Sequence, residues 1–137
     1  MNETDVIEAM LGEGRGRTIA VVGLSDNPAK PSYYVSEYMQ RLGYKIYPVN
    51  PTVSNVLGEK SYASLSELPI KPDVVNVFRL PKAIPPIVDE MLALGLKNIW
   101  VQQGIINMDA AERAERGGIR VVMDRCIMIE HRRHCGR

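Results

Sequence analysis

Cysteine is scarce in this chain: Cys126 and Cys135 are the whole supply. Two thiols are too few for a disulfide framework, which points to reduced cysteines and a cytosolic setting. Long apolar runs are missing too, and no segment reaches the length that crosses a membrane. The opening MNETDVIEAMLGEG is acidic and amphipathic, without the basic start and apolar stretch of a secretory signal. No one sign of charge dominates. The net charge is +1, so nucleic acid is not expected as a partner and any anion site must be built from particular residues. Repeats, linkers and low-complexity stretches are absent, which leaves a single domain: a short leading helix (3–12), a core (18–131) and a tail (132–137).

A nucleophile–base pair is also lacking. Ser25 has no histidine in its motif, and both histidines, His131 and His134, lie near the C-terminus. Asp73, Asp89 and Glu90 read as solvated charges rather than a catalytic pair. The spacing C-x4-H-x2-H-C over Cys126, His131, His134 and Cys135 invites a zinc reading. The adjacency of His134 and Cys135 strains a tetrahedral site, and no metal is assigned.

What is present is an alternation of strand and helix patterns. Thr18 to Val22 (TIAVV) is a continuous β-branched run suited to a strand covered on both faces. Gly23 ends it, a Ser-Asp-Asn-Pro turn follows, and Pro31 and Ser32 open a helix to Leu42, with Ser32 as the expected N-cap. Strands are expected at Lys45–Val49, Asp73–Phe78, Asn98–Val101 and Arg120–Met123, with a small edge strand at Glu59–Tyr62. Helices are expected at Asp5–Leu11, Ser64–Leu68, Ala83–Leu94 and Met108–Arg116, the last capped by Asn107. Pro85 and Pro86 are tolerable in a first helical turn, whose N–H groups have no intrahelical partner. Gly43, Gly95 and Gly117-Gly118 supply stops. This is an α/β, Rossmann-like, doubly wound parallel sheet, with expected strand order 3-2-1-4-5-6 and the Glu59–Tyr62 strand at the edge.

In such a sheet ligands sit beyond the C-terminal strand ends, where the strand order reverses. Those ends supply Gly23, Leu24, Ser25 and Asp26; Asn50 and Pro51; Phe78, Arg79, Leu80 and Pro81; Gln102, Gln103 and Gly104; and Asp124, Arg125 and Cys126. The first turn is not GxGxxG, and the second strand ends in Asn50 rather than an acidic residue. Both departures count against a nicotinamide dinucleotide. Lys30, Arg79 and Lys82 are the best-placed cations for phosphate, while Arg15 and Arg17 lie before the first strand.

The blocks VVGLSDNPAKPSYYV, YPVNP, LGEKSYASLSELP, VVNVFRLPKAIPPIVDE, WVQQGIIN and VVMDRCIMIEH resemble the small stand-alone CoA-binding proteins. These are similar to the N-terminal CoA-binding domain of the succinyl-CoA synthetase alpha subunit. The resemblance implies a fold that binds coenzyme A, or an acyl-CoA, at the C-terminal edge of the sheet. Position by position, it implies that Ser25, Asp26, Asn27 and Pro28 hold the pyrophosphate or 3′-phosphate end. Asn50 and Pro51 border the nucleotide; Phe78, Arg79, Leu80, Ala83 and Pro86 flank nucleotide and pantetheine; and Gln102 to Gly104 lie further along. The synthetase's second domain, with its phosphorylated histidine, has no counterpart, and Val53 stands near the place of a lysine after the second strand. Three readings follow: a non-catalytic CoA-binding carrier, sensor or accessory module; an enzyme acting on CoA or acyl-CoA with Cys126 taking part; or a nicotinamide-nucleotide binder. Ile127, Met128 and Ile129 offer a dimer contact or, more simply, core.

Overall fold

The computed structural model describes residues 3–12 and 16–134. Arg15 and Cys135, singled out above, lie outside the described residues. In chain order the elements are α1 (Glu3–Leu11), β1 (Thr18–Val22), α2 (Pro31–Arg41), β2 (Lys45–Val49), β3 (Asn55–Val56), β4 (Glu59–Lys60) and β5 (Val74–Val77). They continue with α3 (Ile84–Leu94), β6 (Asn98–Val101), α4 (Met108–Arg116), β7 (Arg120–Met123) and α5 (Ile127–His134).

Five strands form one parallel sheet in the order β2-β1-β5-β6-β7. The alternation along β1 decides what covers each face. Ile19 and Val21 point into a core with Met10, Leu11, Val35, Met39, Trp100 and Ile127, which packs α1, α2 and α5 on one side. Ala20 and Val22 point into a second core with Val77, Ile84, Val88, Met91, Ala110 and Ala114, which packs α3 and α4 on the other. Both faces are therefore buried, which is why β1 reads as a nearly continuous apolar run and β5 and β6 are buried throughout, Asn76 and Asn98 included.

The edge strand expected at Glu59–Tyr62 does not join this sheet. Residues 59–60 pair antiparallel with 55–56 in a separate two-stranded ribbon, and Tyr62 makes a single parallel bridge to Val49. The strand order is thus one shorter than expected. Leu57 (φ 56°) and Gly58 (φ 77°) supply the tight turn that folds the segment back on itself. The helix expected at Ser64–Leu68 is a single 3-10 turn, Leu65–Glu67, held by the buried Leu65. α3 is preceded by a 3-10 turn, Pro81–Ala83, and Pro85 and Pro86 do fall in its first turn. Gly95 ends α3 in the left-handed conformation, and Asn107 caps α4 by accepting from the Ala110 N–H.

The acidic groups read above as solvated charges are exposed or half-exposed, and they also act as ties. Asp73 accepts from the backbone N–H and hydroxyl of Thr18 (2.9 and 3.1 Å) and Glu90 from those of Ser66 (3.1 and 2.6 Å), while Asp89 pairs with Arg113 at 2.6 Å. Arg17 sits against Gly12 at the N-terminal end of β1, the edge of the sheet opposite the strand ends where a ligand is expected.

α5 was not anticipated by the apolar pattern. Ile127 is fully buried in the core, Met128 packs against it and Ile129 is 40% exposed. The other buried positions of this helix are polar: Glu130 pairs with His134 (3.2 Å) and Arg133 (3.4 Å), and His131 lies edge-on to the rings of Tyr44 and Tyr38.

Candidate functional site

In β2-β1-β5 the chain leaves β1 to one side and returns on the other, so the strand order reverses between β1 and β5. A crevice opens at such a point because the two connections diverge. A cavity of about 400 Å³ occupies it, lined by Gly23, Ser25, Lys30, Pro31, Ser32, Phe78, Arg79, Leu80 and Ile105.

Gly23 is what lets the two strand ends come together. Its φ is +90°, and a Cβ there would lie 2.5 Å from the Phe78 carbonyl oxygen and 3.2 Å from Arg79 Nε. Only glycine adopts that backbone and leaves that space. The chain then turns through a self-knit loop. The Ser25 N–H donates to Ser32 Oγ, the Asn27 N–H to Ser25 Oγ and the Ala29 N–H to Asn27 Oδ1, each at 3.0 Å. Ser32 is therefore not the N-cap of α2. Lys30 takes that position with Pro31 after it, and Ser32, one residue further in and buried, reaches back to hold the turn. The N-terminal end of α2 forms one wall of the cavity, where its macrodipole favours an anion by about 0.3–1 kcal/mol.

Most of the described arginines are engaged elsewhere, as in Arg113–Asp89 and Arg125–Glu3. Among the described residues, neither Arg79 nor Lys30 has an ion-pair partner, and both line the cavity. Arg79 is half-buried and lies over Gly23; Lys30 is exposed at the rim. Lys82 is exposed on the 3-10 turn and lines neither this cavity nor its neighbours.

Two further cavities continue the crevice. One, of about 370 Å³, shares Pro31, Phe78 and Ile105 with the first and is closed by Tyr34, Val35, Gln102, Gln103, Cys126, Met128 and Ile129. The other, of about 240 Å³, shares Arg79 and is lined mainly by Val22, Val49, Ala63, Leu65, Ala83, Pro86 and Ile87. Cationic ground in the middle, with a mostly apolar cavity on either hand, suits a molecule with an anionic centre and two less polar arms.

The residues expected at the site divide accordingly. Gly23, Ser25, Lys30, Ser32, Phe78, Arg79 and Leu80 come together in the central cavity, Gln102 and Gln103 in one neighbour, Ala83 and Pro86 in the other. Phe78 serves both cleft and core, since it also packs against the β1 cluster. Leu24 has its side chain wholly buried and offers only backbone. Asn50 is buried and committed: its Nδ2 donates to the Leu24 carbonyl at 3.0 Å and its Oδ1 accepts from Thr52 N–H and hydroxyl. It ties the β1 turn to the β2 turn rather than facing the crevice. Pro51, Asp26, Asn27, Pro28 and Gly104 are exposed around the rim without lining these cavities, and the Gly104 N–H donates to Asp124 Oδ1 at 2.7 Å. Ile105, common to two cavities, was missed. It sits in a loop beside the exposed Ile106, outside any periodic element, and its only signal was its place in the WVQQGIIN block. No cluster of His, Cys, Asp or Glu suited to a metal occurs among the described residues.

This arrangement, a parallel sheet with a crevice at its switch point, is that of a Rossmann-like α/β domain. The chain belongs to the CoA binding domain family, whose model matches residues 17–132. It is similar to the Bacillus subtilis protein YneT, at 44% identity over 117 residues, 85% of this chain and 87% of YneT. It is similar as well to the ADP-forming acetate–CoA ligase II of Archaeoglobus fulgidus, at 28% identity over 103 residues. That match covers 74% of this chain but 15% of the ligase, so the chain spans a small part of that enzyme's length. Among solved structures, the Thermus thermophilus protein ID.343 superposes with a TM-score of 0.89 and 38% identity over 98% of this chain and 99% of its own.

Proposed function

We propose that this protein binds coenzyme A, free or as an acyl thioester, along the C-terminal edge of its sheet, as a non-catalytic carrier, sensor or accessory module. The pyrophosphate sits at the switch point under Arg79, Lys30 and the N-terminal end of α2. The nucleotide extends toward Ala83 and Pro86. Pantetheine passes Phe78 and Ile105 toward Gln102. The observation that carries this reading is the pair of uncommitted cations at a helix N-terminus, between two apolar cavities, in a chain of the CoA binding domain family.

The magnitudes favour a shared load. Micromolar binding needs about 8 kcal/mol, far beyond what a helix end supplies. Hydrogen bonds to a charged group contribute about 1.5–3 kcal/mol each, and burial of the adenine and pantetheine arms supplies much of the remainder. The wall of the central cavity includes no histidine or carboxylate, which supports binding over acid–base chemistry there. The ligase relatives carry out their reaction in far longer chains, and that activity is not carried over.

Titration calorimetry tests the proposal. Coenzyme A is expected to give saturable heat where NAD gives none, and Arg79→Ala to weaken binding by about 10–100-fold. Heat with NAD and none with coenzyme A overturns it.

A further inference from the structure

The cavity beyond Phe78 ends at a thiol. Cys126 follows β7 and immediately precedes α5, and it lies in the wall of the 370 Å³ cavity that shares Pro31, Phe78 and Ile105 with the switch-point cavity. The same residue also lines a neighbouring cavity of about 250 Å³, which shares Gln103 and Ile129 with the first. It is a free cysteine, 9% exposed and packed at the margin of the core, so a ligand sulfur reaches it only through these cavities.

A second observation marks this end of the cleft as a binding place. Gln102 is 96% buried and lines the same cavity. Its Oε1 accepts from the Ile127 N–H at 3.1 Å, which fixes the amide plane, while its Nε2 has no hydrogen-bond partner among the described residues. The Nε2 is not among the enclosed side-chain atoms left without a partner, so it opens onto the cavity, where an acceptor on a ligand can reach it. The segment that carries Cys126 is clamped from several sides. Asp124 holds a left-handed φ of 62° and accepts from the Gly104 N–H, and the Arg125 carbonyl accepts from Trp100 Nε1 at 2.8 Å. The thiol is therefore held in place at the cavity wall rather than carried on a free loop.

We propose that Cys126 is a covalent docking site for the coenzyme's thiol, through a mixed disulfide. This rests on the binding reading above and deepens it: amides of the pantetheine arm meet Gln102, and the arm's sulfur meets Cys126 Sγ. The co-reactant is a disulfide of coenzyme A. The deprotonated Sγ of Cys126 attacks one sulfur of oxidised coenzyme A, whose S–S bond breaks as the new one forms. The second coenzyme A leaves as a thiolate and takes up a proton from solvent, replacing the one Cys126 gave up. Cys126 is oxidised, half of the coenzyme dimer is reduced, and no other oxidant is needed.

The test uses the full chain. Calorimetry with reduced coenzyme A first establishes binding. The protein is then incubated with oxidised coenzyme A, or separately with hydroxyethyl disulfide, and digested with trypsin. Cleavage after Arg125, Arg132 and Arg133 separates Cys126 from Cys135. The expected result is a mass gain of one coenzyme A less two hydrogens on the Cys126 peptide. That labelling should form at least about ten times faster than with hydroxyethyl disulfide, because binding pre-positions the sulfurs. Arg79→Ala should slow labelling by oxidised coenzyme A and leave the small probe's rate unchanged. Binding of coenzyme A with no adduct at Cys126, an adduct confined to Cys135, or equal rates with the two disulfides overturns this inference and leaves the binding reading standing. Absence of coenzyme A binding overturns both.

Discussion

Replacing Gly23 by alanine tests the geometry of the switch point. The added Cβ would stand 2.5 Å from the carbonyl oxygen of Phe78, an atom of the backbone and not the end of a flexible side chain. That backbone is itself held, since the Phe78 N–H donates to the Val22 carbonyl at 2.9 Å and the Gly23 N–H to that of Val49 at 2.9 Å. Relief therefore requires the β1 and β5 ends to separate. Alanine at positive φ costs about 1–2 kcal/mol, and forcing a methyl into filled space about 1–3 kcal/mol more. The expected loss is roughly 2–5 kcal/mol, a substantial part of the roughly 7–20 kcal/mol typical of a chain this long. Gly104→Ala is the matched control: its φ is +85°, but nothing lies within 4 Å of the place its Cβ would take, so only the backbone cost applies. Urea denaturation of the three proteins gives the comparison directly. Gly23→Ala should lose at least about 1 kcal/mol more than Gly104→Ala. Equal losses would refute the claim that close approach of the strand ends, rather than the turn conformation, demands glycine here.

Two other outcomes follow from buried polar groups. Asn50→Ala removes the link between the β1 and β2 turns and leaves the Leu24 carbonyl without that donor, so a loss of about 1–3 kcal/mol is expected by urea denaturation, and a loss under about 0.5 kcal/mol would show the link to be idle. His131 has its pKa held below the ordinary 6.5 by burial, and its Nδ1 is buried without a partner. Below pH 6.5 the unfolded chain then binds more protons than the folded one, so stability falls as pH drops from 6.5 toward the lowered value. Thermal melts across that window should show the slope in the wild type and a flatter curve in His131→Phe; identical slopes contradict the assignment.

The parallel core was legible because its residues obey local rules. A β-branched run bounded by glycine gives β1, Gly95 and Asn107 punctuate helices by capping chemistry, and Pro85 and Pro86 announce a helix start. What escaped depends on contacts distant in sequence. The Glu59–Tyr62 segment is polar except for Tyr62, and its short pairing is decided by the Leu57-Gly58 turn. α5 buries Glu130 and His131, whose burial is made possible by Arg133, His134 and two tyrosine rings, so no apolar period announces it. At the site, the strand-end rule brought Ser25, Phe78, Arg79 and Gln102 onto cavity walls. The same rule could not tell that the Asn50 amide is spent on Leu24 and Thr52, because an amide's partners are a property of the fold and not of its position in the chain.

A crystal structure of the protein grown with coenzyme A tests the central claim most directly. The account predicts pyrophosphate density between the 25–32 turn and Arg79, with the pantetheine arm running past Phe78 and Ile105 to Gln102. Coenzyme A bound at the opposite edge of the sheet, or a switch-point crevice left empty at saturating ligand, would contradict it.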